Sequence, residues 1–355
     1  MNAQKKYTAA IIGVGKAGGG GQKGGGHAVG YLHADAYKVT NPRTTLHAAA
    51  DINRENLEFF CKKYEVAHAF ADYKQMLREA KPEIVSICTY VGLHRQMIED
   101  CARAGVKGIY CEKPILNSPA ELAAVDRVVK ETGAKIVAAH IRRYFPAFQR
   151  MKELYGNGAI GEPLMCIAGI QDWDLSEWGS HWLDMFRFLH NDRPVRWVFA
   201  QCRVRDLRGY GHAMEEHGCA YFEFEGGGKC ILDGGRGMNG AWTMTLVGTQ
   251  GTIRLEQEYL VVMETAKGRV TEDFSSHPGH GYAVAWSNIV TDLIGWIEGG
   301  PEPILGWSNM SKSAELNLAA YVSAIRGDRV DLPLSGDDLK INEWPVEVLA
   351  RRNKK

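Results

Sequence analysis

At 355 residues the chain exceeds the commonest single-domain size, so two domains, each with its own core, are expected. Its 42 Lys and Arg balance 42 Asp and Glu, mixed along the sequence, which excludes the basic field that gathers nucleic-acid phosphates. No apolar run is long enough to cross a bilayer and Met1 to Tyr7 is polar, so a cytoplasmic protein with no membrane contact is expected.

In chain order, Tyr7 to Gly13, Thr44 to Asp51, Glu83 to Thr89, Gly108 to Cys111 and Lys135 to Ala139 are apolar runs of strand length. Asn53 to Tyr64, Tyr73 to Ala80, Leu93 to Ala104 and Pro119 to Thr132 carry helical periodicity between them. This alternation predicts an α/β fold, a doubly wound parallel sheet of Rossmann type over residues 1–145. Ligands in such sheets bind at the carboxyl ends of the strands.

The first run ends in Gly13-Val14-Gly15-Lys16-Ala17-Gly18, a G-x-G-x-x-G match directly after a strand. The glycines allow a tight turn and close approach to a dinucleotide pyrophosphate. Glycines continue to Gly26, interrupted by Gln22 and Lys23, before a helical segment near His27. Either the helix starts late or a glycine-rich flap is inserted; a flexible linker is the plain alternative. Asp51 closes the second run, where a carboxylate accepts from ribose hydroxyls and repels a 2′-phosphate, favouring NAD. Arg54 nearby is the kind of group that accommodates that phosphate, and Asp51 as a simple helix cap is the other reading.

Eight cysteines never form a C-x-x-C pair and several lie in apolar segments, so buried reduced thiols are expected. Histidines never take a ligand spacing such as H-E-x-x-H, so no metal is expected.

Thr89-Tyr90-Val91-Gly92-Leu93-His94 and Cys111-Glu112-Lys113-Pro114 follow the third and fourth runs. They resemble the two signature turns of the Gfo/Idh/MocA family, with Tyr90 and Val91 where the family usually has Pro-Asn. The segments 141–148, 156–163 and 246–252 extend the resemblance over almost the whole chain. It implies an NAD cofactor, with Thr89, His94, Glu112 and Lys113 beside it. It also implies a C-terminal α/β domain over 146–355, built on a large, mostly antiparallel sheet that binds substrate and makes a homo-oligomer, dimer or tetramer. Leu164 to Trp173, Trp197 to Arg205, Cys219 to Phe224, Lys229 to Asp233, Trp242 to Val247, Thr252 to Glu256 and Tyr259 to Glu264 read as its strands. Gly226 to Gly228 reads as a hairpin.

Glu177-Trp178-Gly179-Ser180-His181-Trp182-Leu183-Asp184 resembles the family's D-x-G-x-H-x-x-D stretch, which surrounds the carbon that gives up hydride. If helical, it sets positions 177, 181 and 184 on one face. A neutral histidine suits the base, so His181 is assigned that role. The resemblance implies that Lys113 polarises the substrate oxygen and relays a proton. Glu177 stands where aspartate is usual, which leaves the hydroxyl read, and so the substrate, open.

Trp173, Trp178, Trp182 and Tyr144 are aromatics for a sugar face or for the core. Arg142, Arg143 and Arg236 suit either an anionic substituent or structural ion pairs. The leading expectation is an NAD-dependent dehydrogenase acting on a carbohydrate or polyol hydroxyl. Glycoside hydrolysis by transient oxidation is the second reading, and a non-enzymatic regulator, against which Lys113 and His181 argue, the third.

Overall fold

Strands buried on both faces are largely apolar, and the middle strands of the first sheet follow that rule. The sheet contains β1 (Tyr7–Ile12), β2 (Thr44–Ala50), β3 (His68–Phe70), β4 (Ile84–Ile87), β5 (Gly108–Cys111) and β6 (Ile136–Ala138), with β4, β5 and β6 buried at every position. A computed structural model describes residues 5–18, 28–205, 213–235 and 243–352. All six strands are parallel, in the order β3-β2-β1-β4-β5-β6. The order reverses between β1 and β4, which opens a crevice at their carboxyl ends.

The helices joining these strands are α1 (Gly30–Asp35), α2 (Arg54–Tyr64), α3 (Tyr73–Glu79), α4 (His94–Arg103) and α5 (Pro119–Thr132). Their ends follow capping chemistry. The Asn53 side chain accepts from Asn56 N at 3.0 Å, and Ser118 opens α5, which closes on Gly133 at φ +67°.

The second sheet has β7 (Pro163–Gln171), β8 (Val195–Arg203), β9 (His217–Phe224), β10 (Lys229–Gly235), β11 (Met244–Gly248), β12 (Gly251–Glu256), β13 (Leu260–Thr265), β14 (Gly268–Asp273) and β15 (Val330–Asp331). The order is β14-β13-β12-β11-β7-β10-β9-β8-β15, and only β7 and β10 pair in parallel. Gly226, Gly227 and Gly228 all take positive φ in the β9–β10 hairpin, as expected.

Helices α6 (Pro146–Gly156), α7 (Gly179–Leu189) and α9 (Trp307–Arg326) carry large apolar side chains into the core; α7 is buried on every face. Helix α8 (Tyr282–Ile297) returns toward the first sheet, where Asn41 Nδ2 donates to Thr291 Oγ1 at 3.0 Å. Trp307 Nε1 likewise donates to Asp126 Oδ1 at 2.8 Å, and Ala138 N to Leu305 O at 3.1 Å. The chain closes with α10 (Pro345–Arg352). Among the described residues no helix is long and apolar enough to cross a membrane.

Candidate active site

The groups that line the nucleotide side of the crevice hang from strand carboxyl ends. Gly13 follows β1 at φ +84°, and a Cβ there would sit 2.7 Å from Thr89 Cγ2, so the turn after β1 and the turn after β4 touch only because residue 13 has no side chain. The third glycine of the dinucleotide fingerprint serves close helix–strand packing. Gly30 holds that position, not Gly18: a Cβ on Gly30 would lie 2.9 Å from Gly13 O, whereas Gly18 has nothing within 4 Å. The chain leaves the turn at exposed Lys16, Ala17 and Gly18 and returns at Ala28, 3.4 Å from where a Gly15 Cβ would be. Residues 19–27, including the expected flap and Lys23, lie outside the described residues.

Asp51 does not cap α2; Asn53 does. Asp51 Oδ2 accepts from Val14 N at 2.8 Å and Gly15 N at 3.0 Å, and Oδ1 accepts from Asn53 N at 2.8 Å. The carboxylate therefore sets the glycine turn and stands beside it. Arg54 is exposed and pairs with Glu58 at 2.7 Å. A glycine turn that admits close approach, with a carboxylate at the next strand end, fits the pyrophosphate and ribose of a dinucleotide.

After β4, His94 ties two turns together, with Nε2 2.9 Å from Thr89 O and Nδ1 3.3 Å from Ile115 O. Burial lowers its pKa. After β5, Glu112 is buried. Burial alone would raise its carboxyl, but the His33 ring, 2.9 Å away, and Lys113 outweigh this and hold it below its ordinary value. His33 is fixed in turn, its Nδ1 2.8 Å from Ser86 Oγ, which lies 2.7 Å from Tyr37 Oη. A buried chain with every member bonded gives the Glu-Lys-Pro turn a fixed orientation.

Lys113 Nζ donates to Glu177 O at 3.2 Å and Oε2 at 3.3 Å, joining the two sheets' elements at one point. Glu177 is buried but is not on a helix. Asp174 Oδ1 accepts from Glu177 N at 2.7 Å, a local turn that delays α7 to Gly179. Glu215 Oε1 accepts from Leu175 N at 2.8 Å and Asn317 Nδ2 donates to Leu175 O at 2.7 Å, so this turn is pinned from both sides.

The expected common face of Glu177, His181 and Asp184 is therefore not formed. Asp184 points into the core, where Arg143 Nε and Nη2 donate to it at 2.8 and 2.7 Å and Ser313 Oγ at 2.6 Å. Despite burial, that partnership drives its pKa far down.

His181, in the first turn of α7, is buried, and its Nδ1 has no hydrogen-bond partner among the described residues. Burial holds it well below its ordinary pKa, helped by the charges of Arg142 and Lys113 and by His140. The His140 ring, past β6, lies 5.7 Å from the His181 ring, and its Nδ1 is likewise unpartnered. Arg142 is buried over the rings of Trp178 (5.0 Å) and Trp182 (5.4 Å) and bonds Glu258 at 2.5 Å. Trp178 also sits 5.5 Å from His181 and 6.0 Å from Trp173.

The structure thus brings together Lys113, Glu177, His181, Arg142, Trp173 and Trp178. Tyr144 is drawn elsewhere, its hydroxyl donating to Asp292 of α8. Trp182 is fully buried core beside Phe148, Arg143 is structural, and Arg236 lies outside the described residues. Gly30, His33 and His140 were missed in sequence. A glycine opening a helix, and a histidine directly after an apolar strand, were the available signals.

Burial sets a pH dependence. His140 is pulled down to about 4 by burial and by Arg143 and Lys113, against the opposing field of Asp184. Between about pH 6.5 and that value the unfolded chain binds a proton at this site and the folded chain does not, so stability falls as pH falls, by about 3 kcal/mol in all. Urea melts across that window should show His140→Gln losing correspondingly less; an unchanged slope would contradict the assignment.

Residues 8–140 match the oxidoreductase family with the NAD-binding Rossmann fold, and residues 148–254 match the GFO/IDH/MocA C-terminal domain. The chain is 26% identical to the D-apiose dehydrogenase of Paraburkholderia graminis, over 80% of this chain and 82% of that one. It is 28% identical to an inositol 2-dehydrogenase of Rhizobium meliloti, over 62% and 72%. Levoglucosan dehydrogenase, solved with NADH and levoglucosan, superposes with a TM-score of 0.77 at 21% identity, over 93% of this chain and all of the other.

Proposed function

The chain belongs to the Gfo/Idh/MocA oxidoreductase family, and from that premise we propose that it oxidises a secondary hydroxyl of a sugar, polyol or sugar derivative by hydride transfer to NAD. The observation that carries this reading is His181, a buried neutral imidazole with an unpartnered nitrogen beside Lys113. The similar D-apiose, inositol and levoglucosan dehydrogenases supply the substrate class.

The glycine turn and Asp51 would hold NAD, which would supply the acceptor for the hydride. Lys113 donates to the substrate oxygen and stabilises its developing charge. His181 takes the hydroxyl proton as the C–H bond gives up hydride, leaving a ketone. Glu177 fixes Lys113 and accepts from a neighbouring hydroxyl, while Trp173 and Trp178 cover a sugar face and exclude water. Arg142, already paired with Glu258, orients the Trp178 ring. Glycoside cleavage needs a further acid. Tyr144 is engaged by Asp292, His217 pairs with Asp233 at 2.8 Å, and His212 lies outside the described residues. Incubation with free sugars, polyols and aryl glycosides, following NADH and released aglycone in parallel, tests the proposal. NADH should accumulate; aglycone release on catalytic NAD would overturn it.

Asp51 selects NAD over NADP in this reading. Titrations should show wild type preferring NAD, with Asp51→Asn narrowing the ratio; equal wild-type affinities would count against it. We place the division between nucleotide and substrate domains near residue 145. Eight unpaired thiols support a cytoplasmic location.

The row Phe199-Tyr221-Ile231-Ile167 runs in register across β8, β9, β10 and β7, with Phe199 and Ile167 exposed, and supports self-association through this sheet face. Sedimentation should find an oligomer in the wild type and a smaller species in Ile167→Glu; a wild-type monomer would contradict it.

A further inference from the structure

The strongest unassigned cluster lies in the second domain's core. Cys166 of β7 and Cys230 of β10 are register partners in the parallel pair, both fully buried. His190, directly after α7, closes the group: the two sulfurs and a ring nitrogen all lie within 4.8 Å of one another, with Cys166 Sγ 4.0 Å from His190 Nε2. The ring is held for this. Its Nδ1 donates to Phe186 O at 2.8 Å, which leaves the Nε2 lone pair facing the sulfurs. Phe224 stacks on it at 4.3 Å and 15°, and Gly228 makes room, since a Cβ there would lie 2.8 Å from Nε2. The Tyr155 hydroxyl lies 3.8 Å from Cys166 Sγ as a fourth neighbour.

We propose that Cys166, Cys230 and His190 bind a zinc-class metal ion that locks β7 and β10 to the end of α7. Two thiols lose their protons on binding, so the dication and two thiolates form a neutral unit, which an apolar core tolerates. Small closures bring the ligands to the usual zinc distances of about 2.3 Å for sulfur and about 2.0 Å for nitrogen. The ligands come from three separate elements, which is why no linear spacing announces them. The role is structural: the helix that the ion would clamp at its far end carries His181 at its near end.

The test uses the full chain, purified under reducing conditions without chelator from zinc-supplemented cells, with metal content and zinc X-ray absorption measured together. The expected result is one zinc per chain with two sulfur ligands and one imidazole, and a thermal midpoint that drops on chelation. Cys166→Ser and Cys230→Ser should each lower zinc content at least tenfold. Wild-type protein without stoichiometric zinc, zinc in a shell lacking sulfur, or a Cys166–Cys230 disulfide would each overturn the proposal, independently of whether the protein is a dehydrogenase.

Discussion

Lys113→Ala and His181→Ala should each lower turnover by about a hundredfold or more, with the double variant losing little beyond the worse single one. Lys113 is held by Glu177 at the meeting of the two domains' elements, and His181 is kept neutral by burial and by the Arg142 and Lys113 charges, so in the proposed reaction both are placed to act on one oxygen. Removing either leaves the proton transfer without a partner. Removing both removes one event, not two. NAD affinity should change little in His181→Ala, because the substitution leaves the glycine turn and its Asp51 contacts in place. Near-wild-type turnover in a folded His181→Ala protein would take the histidine out of the mechanism. Its depressed pKa adds a further mark: the acid limb of kcat/KM should lie below the ordinary histidine range, since the base is already deprotonated there.

Arg143→Met should destabilise the fold by about 3–5 kcal/mol, the cost of leaving a buried carboxylate unpaired. Asp184 is fully buried and relies on two Arg143 nitrogens and Ser313, while Arg143 also bonds Asp192 with two nitrogens at 2.7 and 2.8 Å. Asp184→Asn in the Arg143→Met background should recover part of the loss, because the charge that lacks a partner is then gone. Urea unfolding of the three proteins decides it, and a loss under about 1 kcal/mol for Arg143→Met would mean that Asp184 finds another partner. The same pair anchors α7, so turnover should fall with stability in Arg143→Met.

The first sheet was readable because its strands are apolar on both faces: β1, β2, β4, β5 and β6 fall within a residue or two of the runs that announced them. β3 is only His-Ala-Phe and offers no run, and β14 is an exposed edge strand with no buried face to pattern it. Gly18 completes G-x-G-x-x-G in the sequence, but the close approach of helix to turn falls to Gly30, which lies outside that spacing and so carries no motif signal. Asp184 was misread for a different reason. The spacing rule applies only within a helix, and the Asp174 turn keeps Glu177 outside α7, while Asp184 is taken up by Arg143 and Ser313 in the core. Lys113 and His181 were legible because each sits in its own short motif. Their encounter was implied by the family resemblance and not by spacing, since the two motifs lie far apart in the chain.

Net oxidation at carbon by this site can be followed with a deuterium label. A substrate identified by NADH accumulation, prepared with deuterium on the reacting carbinol carbon, is mixed with the enzyme and NAD and followed to completion. The expected result is a slowed chemical step, deuterium recovered in the reduced cofactor in proportion to ketone formed, and none of this in Lys113→Ala. Deuterium retained in or returned to the sugar product, with no labelled cofactor accumulating, would contradict it.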